Sequence, residues 1–378
     1  MNSLSKAGAL TLLAVACLTI MVGCVIVPGL PSIARHLGVA NASGWLVTLP
    51  SLGVVIFGPA AGKLTEKIGL YRSLCVGLFF YGLLGTSGAF MQGHWMVFAN
   101  RLLLGAATAV VMSTGTGLIS AFYQGENRMR MIARQGMSIE IGGVIFLFIG
   151  GLLATMGWRW PFCLYLFAWV MLAMVLAFVP GKEVDTIASH TEHSATQSAG
   201  KAVKLTFFAA LFSMIVFFTV IINLPLHFHS LGFSEAQTGY FLSFVSLIAV
   251  TAAWLMPGLV TRISEFGTLT LAFAFYLLAH LLFAFAPSMP LFVLGAVALG
   301  CGFGFSIPLV NHLIVDLSPQ AQRTTNLARL SMAIFLGQFL SAFMAYLSHS
   351  TETIFLLAAM IDLVVLVILS AGRRHVRE

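Results

Sequence analysis

PGKEVDTIASHTEHSATQSAGKAVK at 180–204, followed at once by LTFFAALFSMIVFFTVIINLPLH at 205–227, decides the architecture of this chain. The second string contains no Asp, Glu, Lys or Arg. A helix that crosses a bilayer needs about 20 mainly apolar residues at about 1.5 Å rise each, and this run supplies them. The first string is rich in Ser, Thr, Ala and His and has no apolar face, so it reads as a flexible cytoplasmic linker. Working outward, apolar runs at 236–260, 269–286, 290–314, 325–347 and 352–370 follow it. Six more precede it, at 8–30, 43–61, 73–90, 95–118, 133–156 and 160–179. Hydrophobic residues make up 59% of the 378 positions and charged ones only 8%, and the mean hydropathy is +0.99. A soluble domain of this length needs far more polar surface, and a membrane β-barrel needs short alternating strands, which do not appear. The expectation is an all-α polytopic membrane protein, with twelve transmembrane helices in two six-helix pseudo-symmetric bundles. The first bundle covers 1–180, the linker 181–204 and the second bundle 205–378.

Charge sets the orientation. Of 19 Lys and Arg, all but Arg35, Arg101 and Arg159 fall at the amino terminus, in the even-to-odd loops and their flanks, or in the carboxyl tail. Positive charge in short loops marks the cytoplasmic side, so both termini are expected inside a bacterial inner membrane. The net charge of +7 then serves topology and attraction to anionic lipid headgroups, and no nucleic-acid partner is expected. Pro28 and Pro31 follow the first span without a small-residue cleavage site, so that span reads as a retained helix. Cys17, Cys24, Cys75, Cys163 and Cys301 show no CxxC spacing, and no disulfide, metal site or cofactor is expected. His190 and His193 read as solvated linker side chains.

The halves echo each other at an offset of 195 residues. ARQGMSIEIGG at 133–143 aligns with ARLSMAIFLGQ at 328–338, and Leu104-Gly105 aligns with Leu299-Gly300. With six spans each, both halves have the same orientation, and the symmetry axis is expected along the membrane normal with a central pathway at the seam.

GKLTEKIGLYR at 62–72 carries the sharpest motif. It resembles the GxLaDrxGrrx loop of the major facilitator superfamily through Gly62, Leu64, Glu66, Lys67, Gly69 and Arg72, with Glu66 where that family usually has Asp. Gly62 and Gly69 would permit a tight turn and close backbone approach. The resemblance implies a cytoplasmic gate in which Glu66 latches to a cation of a neighbouring helix; the plainer alternative is a loop that only fixes topology. In the second copy, PGLVTRISEFG, Gly258 and Gly267 stand at a longer spacing. NRLLLGAATAVVMSTGTG at 100–117 resembles the family's intramembrane Arg–Gly motif through Arg101 and Gly105, and the resemblance implies that Arg101 takes part in proton coupling. Its repeat partner is Ala296. An arginine there either snorkels outward or faces the cavity.

Glu140 lies inside the fifth span, and its repeat partner is Phe335. A carboxylate at that depth carries a desolvation cost that protonation relieves, so Glu140 is the prime proton-coupling candidate; the alternative is a neutral acid that serves packing. GGVIFLFIGG at 142–151 departs from the GxxxGPxxGG pattern of the family's drug–proton antiporters, with Phe146-Leu147 for Gly-Pro. Asp362, in the last span, is a second coupling candidate or a lock to a neighbouring helix. Asn223, beside Pro225, and Gln338 are candidates for the substrate cavity, since proline frees a backbone carbonyl and bends the helix. His227 and His312 read as hydrogen-bonding groups near the interfaces.

There is no GxxxxGK[ST] segment for an ATP-driven pump and no cluster of polar residues at one depth for a membrane enzyme. The resemblance covers essentially the whole chain and lies nearest the twelve-helix drug and metabolite efflux branch. It implies a monomeric secondary active transporter that exports a small amphiphilic compound by proton antiport with alternating access. The alternatives are a proton-coupled importer or uniporter of a small polar metabolite and, in another class, a structural or sensory membrane protein.

Overall fold

The computed structural model describes residues 4–181, 200–286, 288–319 and 322–376. The expected linker, with His190 and His193, lies almost wholly outside them. Among the described residues, twelve helices are long and apolar enough to cross a membrane, and the protein has an all-α polytopic membrane fold. The helices are α1 Lys6–Cys24, a short α2 Leu30–His36, α3 Ser43–Ile68, α4 Leu70–Ser87, α5 His94–Phe122, α6 Gly125–Met156 and α7 Phe167–Phe178. Then come α8 Lys201–Ser230, α9 Glu235–Ile263, α10 Glu265–Phe285, α11 Met289–Leu317, α12 Arg323–Leu340 and α13 Thr351–Val376. A 3-10 segment, Trp160–Leu166, leads into α7, and another, Ser341–Tyr346, extends α12. Two compact units divide the chain: Met1–Glu192 with Phe233–Tyr240, and His193–Gly232 with Phe241–Glu378.

The internal repeat extends to the helix boundaries. Lys6 and Lys201, Leu70 and Glu265, and His94 and Met289 open equivalent helices at the offset of 195. Close packing repeats as well. A Cβ on Gly105 of α5 would collide with the Pro50 carbonyl of α3, and a Cβ on Gly300 of α11 would meet the Val245 carbonyl and Ile248 of α9. Gly142 of α6 lies against Cys17 of α1, just as Gly337 of α12 lies against the Leu211 carbonyl of α8. Small residues let backbones approach closely where lipid offers no hydrophobic drive to pair helices.

Three boundaries differ from the sequence reading. The first span ends at Cys24 rather than near residue 30, and α2 restarts at Leu30 with Pro31 in its first turn, a position that needs no amide hydrogen. Helix α6 begins at Gly125, eight residues before the expected 133, because hydropathy marks only the membrane-crossing part. Its polar first turns are helical in their own right, and exposed Arg130 pairs with Glu126 at 2.7 Å one turn earlier. Glu140 therefore lies about 22 Å along α6 at the standard rise, deeper in the helix than expected.

The third concerns the gate segment. Gly62 is helical, exposed and surrounded by open space, so it makes neither the turn nor the close approach expected of it. Gly69 alone breaks the chain, with φ 85° and ψ 162° between α3 and α4. Its repeat partner is Ser264, not Gly267. Ser264 adopts φ 74° and ψ 167° between α9 and α10, and its hydroxyl accepts a hydrogen bond from the Gly267 amide at 3.3 Å. The turn is repeated although the glycine is not, because the serine hydroxyl caps the helix that follows.

Candidate functional site

In the first unit one group of buried polar side chains, from α4, α5 and the Trp160–Leu166 segment, meets the later turns of α1. Arg101, two turns into α5, is only 1% exposed. Its Nη1 donates to the Tyr165 hydroxyl at 3.0 Å, and that hydroxyl donates to the Val22 carbonyl at 2.8 Å. Val22 belongs to the last turn of α1, where backbone carbonyls lack a partner within the helix. The guanidinium carbon lies 5.1 Å from the centre of the Phe162 ring and 5.7 Å from that of Tyr165, which gives it cation–π support in place of a counter-ion. Among the described residues Arg101 makes no ion pair, and its Nη2 is buried with no hydrogen-bond partner. Tyr81 of α4 joins the same region, donating to the Leu18 carbonyl at 2.6 Å, with its ring 6.0 Å from that of Tyr165. Gly85 makes room for the Tyr165 ring, which a Cβ there would overlap.

Glu140 is half-buried on α6, the helix that packs along α1. The Cys17 thiol donates to the Ser138 carbonyl at 3.0 Å, tying the two helices beside it. The structure places Arg101 against Tyr165 at the end of α1 and Glu140 on α6 beside the tie between Cys17 and Ser138, with no hydrogen bond or ion pair between the two candidates among the described residues. Arg101 does not snorkel outward. Tyr165 and Tyr81 were missed by the sequence reading because one tyrosine among many aromatic residues carries no signal until its hydroxyl finds a carbonyl.

The second unit holds a different constellation. Asp362 of α13 and His280 of α10 are both completely buried, with Asp362 Oδ2 2.7 Å from His280 Nδ1. His280 Nδ1 is also 2.8 Å from the Tyr276 carbonyl, and Nε2 is 3.2 Å from the Val216 carbonyl of α8. The contacts at the two ring nitrogens tie α8, α10 and α13 together. Asp362 Oδ1 has no hydrogen-bond partner among the described residues. Of the alternatives for Asp362, this geometry is that of a helix-to-helix lock. His280 was not singled out from sequence, although a histidine inside the apolar run FYLLAHLLFAF, with an aspartate alone in another span, was a usable signal.

The remaining candidates are dispersed. Asn223 is 3% exposed, and its amide donates to the Thr219 carbonyl at 2.7 Å; Gln338 is buried on α12. Glu66, Lys67 and Arg72 are exposed, and none of them forms an ion pair among the described residues. His312 pairs with Asp316 at 3.2 Å on the exposed surface of α11.

The sequence profile of the Major Facilitator Superfamily matches residues 11–342. The chain belongs to that superfamily. It is 27% identical over 353 residues to the uncharacterized transporter YycB of Bacillus subtilis (strain 168), covering 88% of this chain and 86% of that protein. It is 26% identical over 220 residues to the quinolone resistance protein NorA of Staphylococcus aureus (strain MSSA476), covering 57% of this chain and 53% of that one. The crystal structure of the nucleoside transporter NupG superposes with a TM-score of 0.80 at 15% identity, covering 96% of this chain and 99% of that chain. Superfamily membership makes this protein a secondary active transporter of small molecules rather than an enzyme.

Proposed function

We propose that this superfamily member is a proton-coupled importer of a small polar metabolite, with Glu140 as the proton-carrying group. The observation that carries the direction is span five. Where the drug–proton antiporters have Gly-Pro, this chain has Phe146-Leu147, both buried, in a helix that runs unbroken from Gly125 to Met156. The proline-free helix lacks the bend that the antiporter pattern builds in. Glu140 is the one carboxylate within the expected spans of the first half, and it lies half-buried on the helix that packs along α1. Gain or loss of a proton at Glu140 changes the charge held at this half-buried position, which supplies the differential interaction that shifts a two-state carrier. Asn223 and Gln338 are proposed to contribute to the substrate cavity. The segment from Gly62 to Arg72 is proposed to form the cytoplasmic gate, with Glu66 latching in the closed state. The halves 1–180 and 205–378, joined by 181–204, are proposed to rock about the site as a monomer in a bacterial inner membrane, both termini cytoplasmic.

A second reading is export of an amphiphilic compound by proton antiport within the twelve-helix drug and metabolite efflux branch. Partial similarity to a protein named for quinolone resistance favours it. Proteoliposomes bearing a pH-sensitive dye and an imposed pH gradient separate the two. Labelled polar solutes such as nucleosides and sugars are expected to accumulate along with the protons. Accumulation only of amphiphilic drugs, and against the proton flow, would replace the first reading with the second.

A further inference from the structure

We propose that Glu265, His312 and Asp316 form a binding site for a divalent transition-metal ion in the second unit. The three side chains each offer one ligand atom, and those atoms all lie within 4.8 Å of one another. His312 and Asp316 stand one turn apart on α11, with Nε2 3.2 Å from a carboxylate oxygen. Glu265 comes from a different helix, as the first residue of α10, directly after the turn at Ser264. From sequence the trio is invisible, because 265 and 312 belong to separate spans.

The bland account of His312 and Asp316 is a helix-surface pair of the i, i+4 kind, which contributes little to stability. It does not account for Glu265. A second carboxylate, from another helix, offers an oxygen within 4.8 Å of the other two ligand atoms, and among the described residues no Lys or Arg lies within ion-pairing distance of either acid. Two carboxylates and an imidazole gathered from two helices, with no Lys or Arg paired to either acid, form a donor set that a divalent cation can occupy.

The donor set selects the class of ion. One imidazole nitrogen and two carboxylate oxygens are too few oxygens for calcium, which takes 6–8, whereas imidazole suits zinc, cobalt, nickel and copper. Zinc binds such atoms at about 2.0–2.2 Å and leaves a fourth position to water when the protein supplies three. That coordination brings ligand atoms to about 3.3 Å from one another, which the exposed His312 and Asp316 side chains reach by small rotations. Occupancy would clip the first turn of α10 to the last turns of α11, beside the second copy of the gate turn.

Calorimetric titration of the tag-free, detergent-purified chain with zinc tests this, with cobalt absorption in the visible as a second readout. One ion per chain is expected, with dissociation in the micromolar range. His312→Asn and Asp316→Asn should each weaken binding at least tenfold and bleach the cobalt band, and Glu265→Gln should do so more mildly. His190→Ala with His193→Ala, in the linker, should change neither readout. Zinc binding unaltered by His312→Asn, binding lost with the linker histidines, or no binding at all would overturn the site.

Discussion

The lock between His280 and Asp362 offers the most quantitative test of the second unit. Both side chains are completely buried and 2.7 Å apart, and the imidazole also reaches the Val216 carbonyl of α8. Removing one partner strands the other in a medium that cannot solvate it. Breaking a buried pair in this way costs about 3–5 kcal/mol, a large share of the roughly 5–15 kcal/mol by which folded proteins exceed their unfolded states. Asp362→Leu and His280→Leu should therefore each destabilise the protein by about that amount. Replacing both at once removes the stranded group as well, and swapping a buried pair for well-packed apolar residues is often neutral or better. The double variant should then be more stable than either single one, with a coupling energy above about 2 kcal/mol in the cycle. Unfolding in mixed detergent micelles, followed by tryptophan fluorescence, measures all four proteins. Single costs below about 1 kcal/mol that simply add in the double variant would refute the lock.

Three further outcomes follow from the packing and the turns. Gly105→Val and its repeat counterpart Gly300→Val should each lower the yield of folded protein and cost about 1–3 kcal/mol or more, since backbone carbonyls stand where the side chain would go; normal yield and melting temperature would contradict this. Ser264→Gly should stabilise the second unit by about 1 kcal/mol, because φ 74° with ψ 167° is a region that costs a non-glycine residue about 1–3 kcal/mol, while losing a Ser cap to Gly costs only a few tenths. A drop in stability would mean that the serine hydroxyl matters more than the strain. Glu66→Ala should leave insertion intact and increase labelling of a cysteine placed on the cytoplasmic side of the cavity, whereas unchanged labelling leaves Glu66 a topology signal.

The spans and the repeat were legible in the sequence because both depend on composition along one dimension. Hydropathy placed all twelve membrane-crossing helices, and an offset seen in one short alignment matched the opening residues of three pairs of helices. What misled was reading chemistry from letters. In the second copy the letters show only Gly258 and Gly267 at a longer spacing, yet the backbone turn sits on Ser264, which a capping hydroxyl makes tolerable. Arg101 stood out as a lone cation, but what holds it is the hydroxyl of Tyr165, which nothing marks until α1 is placed beside it. Likewise Asp362 was visible as a lone acid, while its partner His280 lies 82 residues away on another helix. Polar pairing across helices is a property of packing, and periodicity does not carry it.

Glu140→Gln bears most directly on the transport mechanism. Glutamine keeps the size and the hydrogen-bonding capacity of the side chain but cannot release a proton. In proteoliposomes that report solute and proton flux together, the variant is expected to exchange substrate across the membrane when no gradient is imposed. Under an imposed pH gradient it should neither concentrate the solute nor move protons with it. Gradient-driven accumulation and proton flux at the wild-type ratio would contradict the account and remove Glu140 as the essential proton carrier.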